Sequence, residues 1–307
     1  MSLTLLAVQT LNGLQLGLIL FLIAAGLTLV FGVMDFINLA HGVQYMVGAY
    51  LAVLFYAETQ HFGLALLAAM GAALLIGLLL EVAVYRHLYA RSHLDQVLAT
   101  FGIILILTEG AKALFGATPL SLPTPEALSG AVPLIDGFNY PVYRFAVIGA
   151  GLGVALLLWL LVTRTKIGMQ VRAGATDAAM IGALGVDIRR LFMGVFGFGA
   201  MLAGFAGAMA APVFAVEPTM GDGLLLLTFV VIVIGGVGSI RGAFIAALIV
   251  GLVDTLGRSF TTDIARLLLP SSAARAVGPA VAAMLVYMLM AGMLFWRPQG
   301  LFPARRA

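Results

Sequence analysis

From Leu11 to Val33 the chain is apolar for about 23 residues, and a second apolar run opens at Val43 after a short polar interruption. A helix rising ~1.5 Å per residue crosses a bilayer core in about 20 residues. Runs of this kind recur along the chain, at roughly 11–33, 42–57, 62–85, 97–116, 141–163, 191–216, 222–239, 242–258 and 277–296. Of 307 residues, 63% are hydrophobic and only 9% charged. Soluble domains carry ~25% charge, so this chain cannot cover itself with a solvated surface. A β-barrel would show alternating segments of ~10 residues, whereas these runs are continuous. The expected fold is all-α, a polytopic integral membrane protein with about 8–9 transmembrane helices. Residues 1–307 form a single transmembrane domain, with 164–190 as a cytoplasmic loop.

Lysine and arginine placement sets the orientation. The first basic residue is Arg86, and the segment 86–96 adds Arg91. The loop 164–190 carries Arg164, Lys166, Arg172, Arg189 and Arg190, and the tail carries Arg297, Arg305 and Arg306. Between them, the proline-rich stretch 117–140 has two acids and no base. An external N-terminus and a cytoplasmic C-terminus follow. The stretch 258–276 runs against this pattern: it is expected outside yet holds Arg258, Arg266 and Arg275. The N-terminal segment lacks a basic n-region and reads as retained. A net charge of +3 does not point to nucleic acid, and without cysteine there are neither disulfides nor thiolate metal sites.

The polar interruption "INLAHG" (37–42) has a counterpart. The stretches 26–52 and 229–253 share one plan: an apolar run, a glycine-containing break, then a small-residue apolar run. Unwound backbone inside a membrane is tolerated where it lines a protein cavity, so paired interrupted helices point to a transport pathway. Asn38, His41 and Gln44 at the first break, and Ser239 at the second, are the candidate pathway residues. Helix ends at a break offer backbone N–H and C=O groups to a zwitterionic solute. The alternative is that these side chains cap helix ends and bond neighbouring helices. Small residues at four-residue spacing in 197–212, such as Gly199/Ala203 and Gly204/Ala208, predict close helix packing.

Catalytic apparatus is not visible. Neither Lys112 nor Lys166 follows a glycine, so no Walker A loop is present. "GGVGSIRG" (235–242) lacks the spacing and context of a dinucleotide-binding turn, and the four histidines are scattered. Glu109 and Lys112 lie three apart on one predicted helix and neutralise each other. Glu81 and Asp254 sit near span ends, where headgroups or partner residues are within reach.

Several segments together resemble a known family. "INLAHGVQYMVGAYLA" (37–52), "TRTKIGMQVRA" (163–173), "GGVGSIRGA" (235–243) and "FWRPQGLF" (295–302) are similar to the permease subunit of branched-chain amino-acid ABC importers. The resemblance covers nearly the entire chain. It implies a bacterial inner-membrane uptake system with a periplasmic solute-binding protein, two ABC ATPase subunits and a second homologous permease subunit. ATP and magnesium would be bound by the ATPases, with no cofactor on this chain. Members import aliphatic amino acids, and relatives take urea, short amides or aromatic acids. An acidic residue often follows Ala-His-Gly in the family; Val43 stands there in this chain.

Within the predicted cytoplasmic loop, "GATDAAMIGALG" (174–185) reads as a short exposed helix. Thr176 or Asp177 suits its N-cap and Gly185 its C-terminal end. Its apolar residues have no partner on the aqueous side of this chain, so an ATPase groove is the natural one. It resembles the Glu-Ala-Ala coupling loop of importers, with Asp177-Ala178-Ala179 in that place and Gly182 one residue early. Arg172 and Thr176 belong to the same candidate surface. Two other classes remain open: an ion-coupled secondary transporter, and a channel-like facilitator for a small neutral solute.

Overall fold

A computed structural model describes residues 3–134 and 138–302. Eleven α-helices follow in order: α1 Leu3–Met34, α2 His41–Thr59, α3 Phe62–Ala83, α4 His93–Phe115, α5 Val142–Arg164, α6 Lys166–Thr176, α7 Ala178–Ala183, α8 Ile188–Ala210, α9 Met220–Gly235, α10 Ile240–Leu268 and α11 Ser271–Trp296. Seven are long and apolar enough to cross a membrane; α9 is a shorter apolar helix. The chain is therefore an all-α, polytopic membrane protein, and both expected breaks are present, between α1 and α2 and between α9 and α10. A two-stranded antiparallel hairpin, β1 Ala131–Pro133 with β2 Asn139–Pro141, lies in the connection between α4 and α5.

One expected boundary was wrong. The stretch 258–276 is not a loop: α10 continues to Leu268 and α11 starts at Ser271. Two of its three cations are neutralised locally and the third is hydrogen-bonded. Arg258 pairs with Asp254 at 2.9 Å, Arg266 pairs with Asp263 at 3.1 Å, and Arg275 donates to the Ser271 carbonyl at 3.2 Å. Charge paired along a helix face stabilises helix rather than ending it. The positive-inside rule counts cations alone, so this pairing does not enter it. Arg305 and Arg306, used for the orientation, lie outside the described residues.

Helix α8 runs through the centre and is built for close approach. A Cβ at Gly207 would overlap the Tyr45 carbonyl oxygen of α2, and one at Gly48 would overlap the Gly204 backbone. Gly197 faces Leu78 of α3, and Gly199 faces Gly26 of α1. The small-residue spacing in 197–212 thus brings three helices onto one axis, where dispersion replaces the absent hydrophobic drive. On the other side of α1, Gly13 and Gly17 meet Gly251, Leu252 and Ala247 of α10.

The first break is not a surface loop. His41, the first residue of α2, contacts Ile23 and Gly26 of α1. Those residues lie 11 and 8 positions before the end of α1 at Met34, or roughly 12–17 Å back along the helix. Segment 35–40 therefore runs back into the bundle before α2 begins. Gly221, at the start of α9, abuts Gly42 at the start of α2. The N-termini of the two short helices meet inside the protein.

Candidate functional site

At the first break the chain leaves α1 through Asp35, which adopts φ +50, and its backbone donors are received by α4. Ile37 N–H donates to Gln96 Oε1 at 3.1 Å and Leu39 N–H to Thr100 Oγ1 at 3.4 Å. Gln96 also donates through Nε2 to the carbonyls of Leu88 and Arg91. Both residues are buried, on a single stripe of α4. The sequence reading missed them, although a buried Gln and Thr four residues apart on an apolar helix mark a face that must meet polar backbone.

Asn38, His41 and Gln44 come together here, at 0%, 0% and 3% exposure. The His41 Nε2 lies 3.1 Å from the Ile23 carbonyl and bonds α2 to α1. Both side-chain polar atoms of Asn38 meet no partner among the described residues, and His41 Nδ1 and the Gln44 amide have none but each other. Unpaired polar groups at such burial cost about 1–3 kcal/mol each. Ser239 stands apart. Its hydroxyl accepts from Gly242 N–H at 3.1 Å and caps α10.

The second break is secured by the chain's own tail. Gly236 and Gly238 adopt φ +98 and +80, and α9 ends with carbonyls that its own helix no longer satisfies and the tail takes up. Leu301 N–H donates to Ile234 O at 2.8 Å and Phe302 N–H to Gly235 O at 3.0 Å. Arg241 stacks over the Phe302 ring at 4.8 Å. The Gly-Gly-x-Gly-Ser and Arg-Pro-Gln-Gly-Leu-Phe segments, far apart in sequence, are one structural unit.

At the end of the bundle carrying the N-terminus lies a cavity of about 830 Å³. Its walls include Gln9, Asn12 and Gln15 of α1, Arg144 of α5, and Asp254 and Arg258 of α10. Glu217, from the connection between α8 and α9, completes the polar set. Asn12 Oδ1 accepts from Tyr140 at 3.1 Å and from Arg144 at 2.5 Å. Burial raises the Tyr140 phenol above its ordinary pKa, with Arg144 opposing. Ile19 and Tyr45 also line the cavity. Ile19 precedes Ile23 by four residues and Tyr45 follows His41 by four, so one helical turn separates the cavity from the break.

At the opposite end, Glu81 is fully buried, with Arg86 Nη2 at 2.7 Å and Tyr89 OH at 3.2 Å. Glu109 and Lys112 pair at 2.7 Å as expected. The loop 164–190 is helical. Asp177 rather than Thr176 caps α7, accepting from Met180 N–H at 2.9 Å, and Gly185 follows its end at φ +92. Ile181 packs inward toward Gly174, while Ala179 and Met180 are exposed. Gly182 lies against Ile188. Arg172 and Thr176 line a groove of about 730 Å³ with Ser239 and Arg241. Ala178 begins α7 beside that groove's helix.

Helices broken inside a bundle, with polar groups buried at the break and a cavity carrying charged and amide side chains in a mainly apolar wall one turn away, place this chain in the class of membrane transport permeases. The family described as "Branched-chain amino acid transport system / permease component" matches residues 9–295. The high-affinity branched-chain amino acid transport system permease protein LivH of Salmonella typhimurium is 30% identical over 264 residues, covering 82% of this chain and 86% of its own. BraD of Pseudomonas aeruginosa, with the same description, is 28% identical over 267 residues, covering 83% and 87%. A fructose import permease, FrcC of Rhizobium meliloti, is 27% identical over 187 residues, covering 57% and 51%. No solved structure matches. The chain belongs to the branched-chain amino acid permease family.

Proposed function

We propose that this chain is the membrane permease of an ATP-driven bacterial importer, carrying branched-chain amino acids or a closely related small zwitterion across the inner membrane. The observation that carries this reading is the cavity, with charged and amide side chains set in a mainly apolar wall, stacked one helical turn above the buried Asn38, His41 and Gln44. A solute released into the cavity by a periplasmic binding protein would next meet these side chains, which offer it donors and acceptors that the protein leaves unpaired. The cavity then faces outward, in keeping with an external N-terminus and a cytoplasmic α6–α7 surface.

Energy would come from two ATPase subunits, which carry ATP and magnesium, docking on α6 and α7. The exposed Ile167, Met169, Met180 and Leu184 supply the apolar contact. A second, homologous permease would complete the membrane assembly. The test is uptake of labelled leucine by proteoliposomes holding the full complex and the binding protein. Uptake should require enclosed ATP and persist with an uncoupler. Uptake that survives an ATPase-inactive partner and collapses with the uncoupler would replace this reading with ion-coupled transport.

A further inference from the structure

The outer cavity has a chemical signature of its own. Four charged side chains line it among the described residues, Arg144 and Arg258 against Glu217 and Asp254, so its lining is electrically balanced. Asp254 is engaged by Arg258 through Nε, and Arg144 is engaged by Asn12. Glu217 makes no ion pair among the described residues. Gln15 is only 2% exposed, and its Nε2 has no acceptor. A free carboxylate and a buried free amide donor therefore border one space. Arg258, 62% exposed at its side chain, uses Nε on Asp254 and keeps its remaining donors for another acceptor. Leu16, Ile19, Leu224 and Leu227 supply apolar wall.

We infer that this cavity is a binding site for the intact zwitterion of an aliphatic amino acid, with Glu217 receiving the ammonium group. Gln15 Nε2 and the free guanidinium donors of Arg258 receive the carboxylate. The leucine residues hold the side chain. A purely anionic ligand or a neutral polyol would leave Glu217 without a counter-charge, and a purely cationic ligand would leave the donors of Gln15 and Arg258 unused. The volume lies within the ~300–1,000 Å³ common to small-molecule sites. This inference rests on the proposed transport reading and adds a holding site within the permease, separate from the binding protein.

The chain contains no cysteine, so a single Ala283→Cys in the cavity wall gives this subunit one thiol to label. In the full complex, leucine should slow modification of that thiol by a water-soluble maleimide. Isocaproate, which lacks the ammonium, and isoamylamine, which lacks the carboxylate, should protect at least tenfold more weakly. Adding Glu217→Gln should raise the half-protecting leucine concentration about tenfold or more, the loss of one charge-assisted bond. Binding-protein affinity, read separately by co-sedimentation, should stay unchanged. Gln15→Leu should weaken protection by leucine while leaving that by isoamylamine as it was. Equal protection by all three compounds, unchanged protection in E217Q, or an E217Q effect confined to binding-protein affinity would overturn the inference. If labelled leucine is taken up but never protects, the holding site is wrong and the transport reading stands. If the unmodified complex takes up no aliphatic amino acid, the transport reading itself fails.

Discussion

Replacing Gly300 with alanine tests whether the tail holds the second break. Gly300 sits at φ +80, and a Cβ there would lie 2.6 Å from both Cα and N of Gly236. Backbone cannot yield as a side-chain tip would, and a left-handed non-glycine residue adds ~1–2 kcal/mol. The easier outcome is release of the tail. That forfeits the bonds from Leu301 and Phe302 to Ile234 and Gly235, and the stacking of Arg241 on Phe302. At about 0.5–1.5 kcal/mol per hydrogen bond and ~0.5–1 for the stacking, the loss is about 1.5–4 kcal/mol. Those bonds set how firmly the tail is held in the parent; the shift itself equals the strain added to the attached state, so ~1–2 kcal/mol from the backbone alone should raise the detached fraction about 5- to 30-fold, and the overlap with Gly236 adds to it. The assay is maleimide labelling of a Leu301→Cys thiol, alongside a melting curve of the purified complex. Gly292→Ala is the control, because a Cβ there meets nothing within 4 Å and helix propensity improves. Labelling at the same rate in G300A as in its parent would show that the tail does not secure the break.

Two further substitutions probe the first break and the docking surface. Gln96→Leu removes the acceptor for Ile37 N–H and leaves that donor buried, so the complex should lose about 1–3 kcal/mol and melt earlier. Thr100→Val, acting on a longer 3.4 Å bond, should lower the melting temperature less, and an unshifted Q96L curve would mean that α4 does not hold the break. Met180→Glu, on an exposed position in the first turn of α7, should leave folding intact, because a negative charge near a helix N-terminus is favourable. It should abolish leucine-stimulated ATP hydrolysis by opposing an apolar groove; wild-type stimulation would place the ATPase contact elsewhere.

Much of the helical plan was legible because it rests on run length and composition. Both breaks were visible too, since a histidine, an asparagine or paired glycines inside an apolar run have few places to go in a bilayer. The length of α10 was not. Arg258, Arg266 and Arg275 counted as isolated cations along the sequence, and only their spacing to Asp254, Asp263 and the Ser271 carbonyl turns them into helix-compatible groups. Asp254 and Arg258, four apart, and Asp263 and Arg266, three apart, did carry that signal. A charge tally over a loop discards it.

The site divides along a different line. Asn38, His41 and Gln44 are local, so one segment delivers all three, and their spacing alone puts His41 and Gln44 on one face of α2. The outer cavity is assembled from α1, α5, the connection after α8, and α10. Gln15 reads there as a stray polar residue, and Glu217 as an ordinary loop acid. The meeting of Gln15 with Asp254 and Arg258 depends on α1 lying against α10, which Gly13, Gly17 and Gly251 allow by removing side chains from the contact. Glycine spacing says that two helices approach closely but does not say which two. Partner choice comes from shape complementarity across the whole bundle. Ser239 shows the converse: a local motif read correctly as a break, whose hydroxyl is already committed to capping α10. A polar residue at a break is therefore informative about solute only when its hydrogen-bonding capacity is left over. By that measure Asn38 and Gln15 are among the side chains with capacity to offer a passing solute.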